Sequence, residues 1–251
     1  MRLHVIGSGS AGNAYVLYAG DSILLLEAGM PPETYLPELA AGGIWCSIRG
    51  CLVTHEHGDH AKYAMKMAET GIPVYASEGT IKALAGDGAL TALKPVQSRA
   101  VLELEDFTVL PFDVEHDAAE PLGYLIRYKP TGETLVFATD TYYLRYTFPQ
   151  VHYWMLECNY VDEIMDAQLA EDSLSKELRH RLKKSHMSLR RVLDVLRAND
   201  LAQTRAIVLI HLSDERSDER AMVKAVKEVT GLEEVTAAKN GAVINLELAP
   251  F

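Results

Sequence analysis

The sequence predicts an α/β fold, and three observations predict it. Apolar or alternating runs of strand length recur along the chain and are interleaved with longer helical segments. An apolar content of 48% over 251 residues is ample for a buried core. No linker, low-complexity tract or short repeat interrupts the chain, so residues 1–251 read as a single domain.

Each element has a local reason. Residues 2–7, 14–18 and 22–26 alternate or run apolar like strands of a meander. The run Ile48–Val53 is a further strand, and Asp59-His60 opens a helix through Ala68 that stops at Gly71-Ile72-Pro73. Val74–Ala76 resumes a strand. Residues 101–104, 107–113, 122–128, 134–139 and 151–157 read as strands, with Lys129-Pro130-Thr131-Gly132 as a turn. Asp162–Leu182 is predicted mostly helical, Ser188 caps a helix through Ala198, and Ala206–Ile210 is a short buried strand. Ser217 caps a last helix through Val229, ended by Gly231, and Asn240-Gly241 turns a hairpin into Val243–Leu248.

Bulk properties exclude several classes. The N-terminal alternation Met1–Ile6 has no apolar signal core, and no run approaches the roughly 18 apolar residues of a membrane helix, so a cytoplasmic protein without membrane contact is expected. Three cysteines, Cys46, Cys51 and Cys158, are an odd number without metal-ligand spacing and read as small core residues. A net charge of −11 argues against a polyanionic partner unless the site itself is positive.

The segment Thr54-His55-Glu56-His57-Gly58-Asp59-His60 supplies that exception. Three imidazoles and a carboxylate in H-x-H-x-D-H order directly follow a strand, which delivers them to one point at a sheet edge. Neutral imidazole and ionised carboxylate suit zinc, manganese or iron, and two such ions can share an activated water. After subtraction of ligand carboxylates and a hydroxide, two divalent ions leave roughly one positive charge in the cleft, which favours a phosphate.

This order of residues resembles the signature loop of the metallo-β-lactamase superfamily, whose fold is a four-layer αββα sandwich. Within it the chain is most similar to the YycJ/WalJ-like group, through Gly7-Ser8-Gly9-Ser10-Ala11-Gly12-Asn13-Ala14-Tyr15, the His116-Asp117-Ala118-Ala119-Glu120-Pro121 run, Leu156-Glu157-Cys158-Asn159-Tyr160 and His211-Leu212-Ser213-Asp214-Glu215. The resemblance implies that His55, His57 and His116 hold one metal ion, that Asp59, His60 and His211 hold the other, and that Asp140 bridges them. It also implies a phosphodiesterase acting as a DNA exonuclease by metal-bound hydroxide attack, with Asp59 orienting the water. Where the family usually has Asp before the first helix, this chain has Glu27, which is expected to keep the role of orienting the metal loop. The glycine-rich loop fits neither a Walker loop nor a dinucleotide fingerprint. It reads as a turn facing the metals, where Ser8 and Asn13 line the site for substrate.

The leaving alkoxide needs a proton, and His186, just before a capped helix, is the candidate donor, with Glu157 fixing its tautomer. The segment Lys176–Arg191 contains Lys176, Arg179, Arg181, Lys183, Lys184, Arg190 and Arg191 against the single acid Glu177. It is either a solvated helix face or a track for nucleic acid, with Lys183 and Lys184 as the phosphate contacts. Tyr142, Tyr143, Tyr146 and Phe148 offer rings for stacking bases, although packing under a loop is the commoner fate. His4, His152 and His180 read as satisfied or solvent-facing imidazoles. The expected partner is therefore DNA, and self-association into a homo-oligomer stays open. The alternatives are a hydrolase of small molecules, either a cyclic phosphodiester or a glutathione-type thioester, and a non-catalytic binder. The filled ligand positions speak against the binder.

Overall fold

The computed structural model describes residues 1–85 and 92–246. The chain opens with strands β1 (Arg2–Gly7), β2 (Ala14–Ala19) and β3 (Ser22–Leu26) and helix α1 (Leu36–Ala41), followed by β4 (Ile48–Leu52). Short helices α2 (Gly58–Ala61) and α3 (Ala64–Glu69) lead to β5 (Val74–Ser77), α4 (Glu78–Ala85), β6 (Lys94–Val96), β7 (Leu102–Leu104), β8 (Phe107–Asp113) and β9 (Leu122–Tyr128). After them come β10 (Thr134–Ala138), β11 (Tyr153–Glu157), α5 (Asp162–Ala170), α6 (Lys176–Ser185), α7 (Leu189–Ala198), β12 (Ala206–Ile210), α8 (Glu219–Thr230), β13 (Val235–Ala237) and β14 (Val243–Asn245). These elements fall into two compact units, one of Met1–Asp113, Ala118–Gly132 and Lys239–Phe251, the other of Val114–Asp117 and Glu133–Ala238.

The first unit holds a mixed sheet of order β14-β1-β2-β3-β4-β5-β6. Its first half is antiparallel because short turns such as Gly20-Asp21 join neighbouring strands. From β3 to β6 the strands are parallel, and each step crosses over through α1, α2 with α3, or α4, as parallel pairing requires. Val16, Leu25, Cys51, Val53, Val74 and Ala76 form one buried cluster with Leu36, Leu39, Ala64, Met67 and Ile81 of the crossover helices. Strands β7, β8 and β9 form an antiparallel meander in the same unit.

The second unit is built on the parallel order β13-β12-β11-β10. Every residue of β11 and β12 is buried. Strands covered on both faces read as continuous apolar runs rather than alternations, which is how Ala206–Ile210 reads in the sequence. In both units, loops at the carboxyl ends of parallel strands carry the chemistry-bearing side chains: Glu27 after β3 and His55–His60 after β4 in one, Asp140 after β10, Glu157 closing β11 and His211 after β12 in the other.

Several expected elements differ. The helix expected from Asp59 to Ala68 is two short ones, because the Tyr63 N–H bonds to Ala28 O at 2.9 Å and leaves the helical ladder. The segment Asp162–Leu182 breaks between α5 and α6, where Ser173 N and Leu174 N both turn back to Gln168 O and Leu174 is buried. Ser175 then caps α6 through Leu178 N. Asp218, rather than Ser217, caps α8, while Ser188 caps α7 and Gly231 ends α8 in the left-handed region, as expected. The turn at Asn240-Gly241 makes no hairpin: β13 pairs with β12, and β14 pairs with β1. Glu247 and Leu248 of the expected last strand lie outside the described residues. Cys51 and Cys158 are core residues, but Cys46 is exposed. The sequence reading had no counterpart for α1, α4, β6 or β13.

Candidate metal centre

In the first unit, β4 ends in Val53-Thr54 and the chain turns through His55, His57, Asp59 and His60 into α2. The His55 ring lies 4.7 Å from that of His57 and 4.3 Å from that of His60, centroid to centroid. Behind them Glu27 is fully buried. Its Oε1 accepts from Thr54 Oγ1 at 2.6 Å, and its Oε2 accepts from the Thr54 N–H at 3.2 Å. Because the Thr54 hydroxyl spends its hydrogen on Glu27, its oxygen is an acceptor for His55 Nδ1 at 2.9 Å. Nδ1 of His60 lies 3.3 Å from the same Glu27 oxygen. Through Thr54, the Glu27 carboxylate thus sets the Nδ1–H tautomer of His55 and leaves its Nε2 the lone pair that suits a metal ion, and the same charge stands beside Nδ1 of His60.

Asn13 holds this loop from the other side. It is buried, and its amide donates to Gly9 O at 3.1 Å and Asp59 O at 3.2 Å, while its backbone N–H also reaches Asp59 O at 2.7 Å. Gly29 has to be glycine here, since a Cβ would stand 1.8 Å from Asp59 O and 2.7 Å from Asn13 N. Ser8 is half-buried, with its hydroxyl oxygen accepting from Tyr15 Oη at 2.9 Å.

In the second unit, His116 donates Nδ1–H to Ser185 O at 2.9 Å, which again directs Nε2 outward, and Nε2 lies 3.7 Å from Asp140 Oδ2. Burial draws the His116 pKa below its ordinary value, so the ring is neutral, as a ligand must be. Asp140, Glu157, His186 and His211 each place one donor atom within 4.8 Å of the others. Glu157 is fully buried: Oε2 accepts from Thr141 N at 3.0 Å and Met187 N at 3.1 Å, and Oε1 meets His186 Nδ1 at 2.6 Å. Burial works to lower the His186 pKa, but the Glu157 charge and hydrogen bond outweigh it and raise the net value. Burial likewise works to raise Glu157, which His186 holds below its ordinary value. The Asn159 amide donates to His211 O at 3.0 Å and touches His211 Nδ1 at 3.2 Å.

The sequence-predicted residues therefore gather as His55, His57, Asp59 and His60 around Glu27 and Asn13 in one unit, and as His116, Asp140, Glu157, His186 and His211 in the other. The donors fit divalent metal by their chemistry: imidazoles locked in one tautomer beside carboxylates. Lys183 pairs with Asp162 at 3.2 Å, and Lys184 is exposed. Sequence reasoning missed Thr54, Asn159 and the Ser185 carbonyl as orienting groups. Thr54 adjoins the histidine motif and Asn159 stands in a motif that drew notice, but the carbonyl has no side-chain signal at all.

Residues 44–212 match the family described as beta-lactamase superfamily domain. Exodeoxyribonuclease YycJ of Bacillus anthracis is 32% identical over 154 residues, which are 57% of this chain and 56% of that protein, so the chain spans little more than half of that relative. Exodeoxyribonuclease WalJ of Streptococcus pneumoniae serotype 2 (strain D39 / NCTC 7466) is 25% identical over 261 aligned positions, covering 98% of this chain and 93% of its own. Among solved structures, the metallo-beta-lactamase fold protein YhfI from Bacillus subtilis superposes with a TM-score of 0.68 at 17% identity, over 97% of this chain and 99% of that one, which establishes the fold. With the family match covering more than half of its length, the chain belongs to the metallo-β-lactamase superfamily.

Proposed function

We propose that this protein is a dinuclear metal-dependent phosphodiesterase that degrades DNA from an end. The observation that carries the reading is the buried Glu157 carboxylate gripping His186 Nδ1 at 2.6 Å beside Asp140. A hydrolase whose leaving group is a stable thiolate has no need of a buried proton donor, whereas the alkoxide expelled from a phosphodiester does. Two relatives named exodeoxyribonuclease support DNA as the polymer.

In this reading His55, His57 and His116 would hold one ion of zinc, manganese or iron, Asp59, His60 and His211 the second, and Asp140 would bridge them. Such a pair supplies Lewis acidity toward phosphoryl oxygens and lowers the pKa of a water toward neutrality. Asp59 would also orient the attacking water if its free carboxylate oxygen touches it. With Nδ1–H engaged by Glu157, His186 holds a proton at Nε2 for the departing oxygen only as imidazolium, the form that the Glu157 charge favours. Glu27 and Asn159 position the rings of His55, His60 and His211. Ser8, Asn13, Lys183 and Lys184 are assigned to the substrate side.

The test is to incubate metal-reconstituted protein with end-labelled single- and double-stranded DNA, RNA, a cyclic phosphodiester and a glutathione thioester side by side. Progressive loss of label from DNA is the expected result. Turnover of the cyclic phosphodiester or the thioester with no polynucleotide cut by any metal would replace the nuclease with a small-molecule hydrolase.

A further inference from the structure

Two cavities lie next to each other in the second unit. One, of about 360 Å³, is lined by Tyr142, Tyr160, Lys183, Arg190 and Arg191 with the acids Asp162 and Asp194. The other, of about 240 Å³, is lined by Tyr143, Tyr146 and Val195, and again by Arg191 and Asp194. The two shared residues make them neighbours along one face of α7, where positions 191, 194, 195 and 198 follow helical spacing. The charges divide unevenly. Lys183 is answered by Asp162 at 3.2 Å, and Asp194 faces Arg197 at 3.7 Å. Among the described residues no carboxylate lies within ion-pair distance of Arg190 or Arg191, so two guanidinium groups stand ready for an anion. Tyr142 and Tyr143 are 37% and 45% exposed, while Phe148 is buried against Trp154, so of the aromatic run after Asp140 only part is spent on packing.

We propose that the face of α7 and the segment 142–146 form a track for single-stranded polynucleotide, one nucleotide to each cavity, with Arg191 on the phosphate between them. The proposal rests on the nuclease reading and specifies its substrate. Repeating exposed aromatic rings with cations between them are what a strand of unstacked bases requires, since every base has a face to stack and every link a negative charge. Bases in a duplex are already stacked and offer no face to Tyr142 or Tyr143. A small ester would fill one cavity and leave the second without a purpose. Tyr142 and Ser188, which both line the first cavity, stand two residues after Asp140 and two after His186 in the chain.

The experiment is equilibrium binding of a single-stranded phosphorothioate tetranucleotide, which resists cutting, to the full metal-loaded chain, alongside the same tetranucleotide with neutral methylphosphonate links. Arg191→Ala is expected to weaken the charged oligomer about tenfold or more and to shrink the preference for it over the neutral one. Tyr142→Ala is expected to weaken both oligomers by a similar factor of about ten. Wild-type affinities in both variants would overturn the track, as would a loss confined to Arg191→Ala, which would leave a bare anion site. Equal losses on duplex DNA would overturn its preference for single strands. Binding that follows these expectations in a protein that cuts no polynucleotide would strike down the nuclease reading and leave the track standing.

Discussion

Glu27, Asp140 and His211 have φ of 65°, 46° and 54°, a region that non-glycine residues enter at a cost of about 1 kcal/mol or more each. All three sit where a buried strand ends, and in that conformation the carboxylates of Glu27 and Asp140 and the imidazole of His211 meet their partners. At this scale the account turns on Glu27. The Glu27→Gln variant keeps its volume but removes the charge that sets the His55 tautomer through Thr54 and stands beside His60, and metal affinity should fall by roughly 10- to 100-fold although no ligand is lost. Competition against a chelator measures it, and an unchanged affinity would deny Glu27 the role. His186→Ala should retain its metals yet hydrolyse an unactivated phosphodiester on the order of a hundredfold more slowly, while a p-nitrophenyl phosphodiester, whose leaving group needs little protonation, should be largely spared. Equal losses on the two substrates would show that His186 positions substrate rather than supplying a proton.

At the scale of elements, the metal loop is held by backbone contacts from the segment after β3 to the end of β4, to α2 and to the turn that follows α2. Glu27 N bonds to Leu52 O at 2.8 Å, Ala28 N to His60 O at 2.7 Å, and Tyr63 N to Ala28 O at 2.9 Å. Gly29→Ala would drive a methyl into Asp59 O, and the strain should destabilise the fold by about 3 kcal/mol and lower metal occupancy with every ligand still present. Denaturant titration and metal analysis of that variant check both halves, and a fully loaded protein of unchanged stability would refute the packing argument. The same contacts explain what was legible in the sequence. The strands read well because alternation and apolar runs are local signals, and His55, His57, Asp59 and His60 read at once because they share one loop. The break at Tyr63 did not, since its cause is a carbonyl 35 residues earlier, and neither did the break after α5, whose cause is the burial of Leu174. Thr54 and Asn159 act through bonds to Glu27 and His211 that no local pattern announces.

For the whole molecule, the α/β class followed from residue patterns and the superfamily from the motifs that resemble it, and the family match agrees with that superfamily. What residue order did not disclose is the shared groove along α7, because Tyr142 and Arg191 are 49 residues apart and meet only through the β10, β11 and α7 arrangement. No helix among the described residues is long and apolar enough to cross a membrane. The central claim is that His55, His57, Asp59, His60, His116, Asp140 and His211 together hold two ions, since one tetrahedral ion cannot use seven such side chains. Metal analysis of the wild-type chain beside Asp140→Ala and His116→Ala, after reconstitution with zinc, manganese and iron in turn, tests it most directly. The account predicts close to two ions per wild-type chain, loss of affinity for both in Asp140→Ala and for mainly one in His116→Ala; a wild-type stoichiometry that stays near one with all three metals would contradict it.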